Sequence, residues 1–153
     1  MRNHLIKTMS GLIPFDEPAE KWYKKIKVGG IICHDFKKMR NPKFHRKGFT
    51  LLQLAFEYWE PGEINSKYGV PEKNFDRFRK DLTILAGFFS PVIRLDGTVR
   101  IEADSLSFGS MDDEKFEKVY NGLITVILKK IPVLGKLSKD EVDDLVNKVL
   151  QFA

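Results

Sequence analysis

Cysteine is nearly missing: Cys33 is the only one in 153 residues. An intramolecular disulfide is therefore impossible, which fits a reducing compartment. No C-x-x-C or H-E-x-x-H spacing occurs, so the common zinc frameworks are excluded. No Gly-rich phosphate loop occurs either, and Gly29-Gly30 reads only as a turn. No apolar run approaches the length of a membrane span; the longest, residues 123–128, is interrupted by Thr125. The opening MRNHLIKTMSGLIPFDEP has no apolar h-region and turns acidic early, unlike a secretory leader. These absences point to a cytoplasmic protein with no membrane partner, and nothing in the chain calls for a cofactor.

Acid is missing from one place in particular. The net charge is +5, from 26 Lys and Arg against 21 Asp and Glu. Residues 37–47 hold Lys37, Lys38, Arg40, Lys43, Arg46 and Lys47 with no Asp or Glu among them. Without those six, 20 basic residues face 21 acidic ones, so the rest of the chain is essentially neutral. One basic segment on a neutral body points to a polyanionic partner more strongly than a uniformly basic chain does.

What is present is enough for one domain, residues 1–153, with 42% apolar and 31% charged residues and twelve Phe for the core. Residues 4–9 read as a strand, and Gly11 and Pro14 as loop punctuation. Asp16 caps a short helix with Pro18 in its first turn, ending near Ile26. Residues 31–36 alternate as a strand. Asn41 then offers an N-cap and Pro42 a first helical residue. Phe44, Gly48, Leu51, Leu52, Ala55 and Trp59 form one apolar stripe, which predicts a helix over residues 42–60. Pro71 opens another helix, with Phe75, Phe78, Leu82 and Leu85 spaced for burial. Pro91 reads as a break. Asp96-Gly97 predicts a two-residue hairpin between residues 92–95 and 98–103, with residues 105–108 continuing the sheet. A long helix over residues 112–131 and a final one over 138–152, opened by a Ser138/Glu141 capping box, complete the chain. The class is α+β: a small, mainly antiparallel sheet packed by about five helices.

The basic segment enters the helix at 42–60 at its N-terminus, where cations are repelled by a few tenths of a kcal/mol each. Free N–H groups and the positive dipole end suit an anion there. Arg40, Lys43, Arg46 and Lys47 are thus placed to contact phosphates, with Lys37 and Lys38 steering. Reversing Arg40 and Arg46 to Glu is expected to abolish binding without lowering the thermal midpoint. His45 shares the spacing of Phe49, Leu52 and Phe56, which favours a partly buried residue over a ligand.

Catalytic constellations are thin. Cys33 and His34 point to opposite faces of a strand and do not share an ion easily. Glu102 and Asp104, two apart on a strand, share a face and would suit a metal-dependent nuclease, but no Lys follows at short spacing. The chain reads as a non-enzyme.

The run D-F-K-K-M-R-N-P-K-F-H-R-K, residues 35–47, followed by an apolar helix ending in F-E-Y-W, resembles the centre of a temperate-phage and prophage family, domain of unknown function 1367. The likeness extends to Gly11-Leu12-Ile13-Pro14, Ile84-Leu85-Ala86-Gly87, the Asp96-Gly97 hairpin and the closing residues 149–153. More locally, Arg40-Asn41 and His45-Arg46-Lys47 resemble the R-S-x-x-Q-N-R-K pattern of the NinB family, the lambda Orf recombination mediators. His45 stands where that pattern has Gln. The resemblance implies a non-enzymatic homodimer that binds single-stranded DNA in recombination or replication in the host cytoplasm, with Arg40, Asn41, His45, Arg46 and Lys47 at the shared positions. The alternatives are a phage protein that binds and inhibits a host defence protein, and the nuclease above.

Overall fold

A tight antiparallel hairpin opens the first of two units, Met1–Phe36, in the computed structural model, which describes residues 3–33, 40–107 and 109–152. Strands β1 (Leu5–Thr8) and β2 (Gly11–Pro14) pair with Leu5 opposite Pro14 and Thr8 opposite Gly11. Gly11 and Pro14, expected in a loop, are thus the ends of a strand. Gly11 adopts φ +133°, a conformation open to glycine alone at little cost. Pro14 closes the pairing at the strand's end, where a missing N–H is tolerated. Helix α1 (Glu17–Tyr23) starts as expected and ends short of Ile26: the Asp16 carboxylate accepts from the Ala19 N–H at 3.0 Å, and Glu17 and Glu20 suit its positive end. Residues 31–33 are irregular, and residues 34–36 of the expected strand lie outside the described residues.

The second unit, Lys37–Ala153, holds the main core. It runs α2 (Pro42–Tyr58), α3 (Phe75–Leu85), β3 (Phe89–Ile93), β4 (Val99–Ala103), α4 (Asp113–Lys130), a 3₁₀ turn at Leu134–Lys136 and α5 (Lys139–Phe152). Helix α4 is its axis: Phe116, Val119, Leu123, Ile124 and Ile127 are buried. Against them stand Leu51, Leu52 and Ala55 of α2, Phe78 and Leu82 of α3, and Val142 and Val146 of α5. Fully burying one such side chain contributes roughly 1.5–3 kcal/mol, so this cluster outweighs any surface ion pair. Phe44 and Trp59, at the two ends of the expected α2 stripe, are half-buried.

Among the described residues the class is α+β, with five α-helices and two separate two-stranded antiparallel sheets in place of one. Two prolines act differently from the expectation. Pro71 does not open α3; Asn74 does, its side chain accepting from the Arg77 N–H at 2.8 Å. Pro91 does not break the chain but lies inside β3, opposite Ile101. Residues 105–107 are irregular and do not extend the sheet.

Candidate nucleic-acid interface

Helix α2 begins as its sequence dictates. The Asn41 side chain accepts from the Lys43 N–H at 2.9 Å, and Pro42 takes the first helical position. Its first turn carries no acid, whereas the first turns of α1, α3, α4 and α5 all do. The missing acid arrives through space. Asp113, the first residue of α4, accepts from the Asn41 backbone N–H at 2.7 Å.

The same carboxylate lies near Arg40, which the structure places inside the protein at 1% exposure. The Arg40 guanidinium lies 3.6 Å from the Phe116 ring centre, a cation–π contact in a desolvated site. One of its nitrogens donates to the Leu106 carbonyl at 2.8 Å and to His45 Nδ1. Burial pushes the Arg40 pKa down, against the pull of Asp113. Burial, reinforced by the Arg40 charge, also lowers the His45 pKa. Guanidinium only donates, so His45 Nδ1 must be the acceptor of a neutral imidazole. The ring sits 4.7 Å from Phe49, centre to centre, half-buried among its neighbours.

Lys47 is also engaged. It pairs with Asp143 of α5 at 2.7 Å and reaches over the Tyr120 ring. Tyr120 donates its hydroxyl to the same carboxylate at 2.6 Å, and burial together with Asp143 pushes the Tyr120 pKa up. Burial alone would raise the Asp143 pKa; Lys47, Tyr120 and Asn147 outweigh it and hold the group ionised below the usual range.

The basic segment is thus divided. Arg40, His45 and Lys47 hold α2 against α4 and α5. Lys43 and Arg46 are exposed and form no ion pair among the described residues. Lys37 and Lys38 lie outside the described residues. Because Arg40 is buried, its reversal to Glu would strike the core, so the stability control expected of an Arg40/Arg46 reversal belongs to Lys43 and Arg46 instead. Sequence reasoning missed Asp113, Phe116 and Asp143. An acid opening α4 was visible, but nothing local says that it serves a helix 72 residues earlier.

The carboxylates considered for a nuclease are occupied. Glu102 pairs with Arg100, while Asp104 accepts from the Ser90 hydroxyl at 2.9 Å and pairs with Lys115 at 3.4 Å. Among the described residues no group of three or more His, Cys, Asp or Glu is arranged to hold a metal ion. Cys33 is exposed, and its neighbour His34 lies outside the described residues. No helix in the described residues is long and apolar enough to cross a membrane.

The model of one family, described as "Protein of unknown function (DUF1367)", matches residues 1–67 and 63–152, and the chain belongs to that family. No curated protein and no solved structure matches it.

Proposed function

We propose that this member of the family binds nucleic acid without catalysis, as an accessory protein of DNA recombination or replication. Single-stranded DNA is the preferred ligand, and a homodimer the working form. The observation that carries this reading is the pair of exposed cations, Lys43 and Arg46, without an ion-pair partner among the described residues, on an acid-free first stretch of α2. Lys37 and Lys38 adjoin them in sequence and complete a set of four. Arg40, Asn41, His45 and Lys47 act indirectly, by fixing the helix end that presents Lys43 and Arg46. The NinB-like pattern and the likeness to temperate-phage proteins support the same reading.

Four neutralised phosphates on a single strand give a salt slope of about −3 on logarithmic axes. Affinity for a labelled oligothymidylate should therefore fall on the order of fiftyfold between 50 and 200 mM salt. The Lys43→Glu/Arg46→Glu double variant should lose binding and keep its thermal midpoint. Wild-type binding by that variant overturns the reading. Light scattering at high micromolar concentration tests the dimer, and a monomer mass refutes it.

A second reading, a protein that acts by binding another protein such as a host defence factor, is favoured by a separate surface on the β3–β4 hairpin.

A further inference from the structure

The β3–β4 hairpin has two unlike edges. Its register pairs Phe89 with Ala103, Pro91 with Ile101 and Ile93 with Val99. The Arg94 N–H donates to the Thr98 carbonyl at 2.7 Å, and the Asp104 N–H to the Phe88 carbonyl at 3.1 Å. Antiparallel pairs alternate between those that exchange hydrogen bonds and those that do not. The bonded pairs are therefore Val92 with Arg100 and Ser90 with Glu102. At Val99, Ile101 and Ala103 the N–H and C=O point outward from β4. Pro91 occupies an outward-pointing position of β3, so that edge lacks a donor at its centre.

The outer edge of β4 faces a groove of about 530 Å³. All five residues of β4 line it, of both side-chain parities, and no residue of β3 does. A hollow on one face of the sheet would collect alternate residues from both strands; this one runs along the edge. Its other wall is α3, through Arg77, Lys80 and Ile84, one face of that helix. Arg94 and Arg100 bring the cations to four, against the single carboxylate of Glu102. Arg77 and Lys80 are shared with Asp81 and Asp76 on α3, at 2.8 and 2.9 Å, and Arg100 with Glu102 beside it; all these pairs are solvent-exposed, and Arg94 alone of the four forms no ion pair among the described residues.

We propose that this groove takes up an extended acidic segment of another protein as a third strand beside β4. Outward N–H and C=O groups supply the main-chain bonds of strand addition. Ile84, Val99 and Ile101 receive alternate apolar side chains, and the cations receive the carboxylates between them. The proposal rests on the protein-binding reading, and it stands or falls independently of DNA binding at α2.

The test uses the full chain and a labelled decapeptide of alternating glutamate and valine, with alternating lysine–valine and oligothymidylate as comparisons. On adding the acidic peptide, hydrogen exchange should slow at the Val99, Ile101 and Ala103 amides and not at Arg100 or Glu102, which are already bonded. Ile101→Pro removes one outward N–H that the hairpin does not use, so it should abolish binding and keep the Arg100 and Glu102 amides protected. Should that variant unfold, Arg94→Glu decides, with an expected severalfold loss of affinity. The proposal is overturned if the acidic peptide leaves the three amides unchanged, or if both variants bind it as wild type does. It is also overturned if oligothymidylate protects those amides and the peptide does not, or if they are protected without peptide in a dimer.

Discussion

Arg40 and Arg46 stand on the two sides of the same helix start, and a count of charge treats them alike. Arg40 is 1% exposed, stacked on Phe116 and bonded to Leu106 and His45. Arg46 is exposed and unpaired among the described residues. One cation is part of the packing, the other is offered to solvent. A basic run therefore overstates the charge available to a partner, because packing takes up some of its cations: Arg40 before the helix and Lys47 on its inner face are engaged by α4 and α5.

Breaking the inward side should cost most. Arg40→Glu buries a carboxylate near Asp113 with no cation to meet it, and about 3–5 kcal/mol of stability should be lost in urea unfolding. Arg46→Glu should stay within about 0.5 kcal/mol of wild type in the same measurement. Equal losses at both positions would erase the distinction. Gly48 sharpens it further. A Cβ there would run into the Phe116 ring that carries Arg40. Gly48→Ala should therefore cost about 1–3 kcal/mol, despite the better helix propensity of alanine.

The pH dependence comes next in size. The folded-state pKa of His45 is lowered, so the unfolded chain takes up this proton more readily than the folded one. The stability tied to neutral His45 is fully present above the ordinary histidine value of about 6.5 and is lost as pH falls below it toward the lowered folded value. Urea midpoints at pH 7.5 and 5.5 should differ in that direction, and His45→Gln should remove most of the difference. The smallest of the losses expected on the inward side is at Lys47, whose side chain is 23% exposed beside Asp143. Lys47→Met should cost up to about 1 kcal/mol, read as a small shift of thermal midpoint.

Local chemistry made much of the fold legible. Asn41-Pro42 set the start of α2, Ser138 and Glu141 form the reciprocal cap of α5 at 2.6 and 3.2 Å, and Gly97 takes φ +83° in a hairpin loop of three residues, 95–97, one more than the expected two. Prolines and glycines were misread where a two-stranded ribbon shelters them. Pro14 and Pro91 sit in strands because a hairpin leaves half its N–H groups unused. At the candidate interface, the sequence shows which residues are cationic but not which are neutralised. Asp113 and Asp143 reach Arg40, Asn41 and Lys47 only once α4 and α5 have packed, and spacing along the chain carries no trace of that.

Pro91 has a consequence for how large any assembly can grow. A ribbon with two receptive edges has a valence of two, and strand addition at both would propagate without limit into a fibre. With β3 stopped at Pro91, the ribbon has a valence of one. Any strand it recruits terminates the series at the first step, so the stoichiometry of such a complex is fixed at one guest per hairpin.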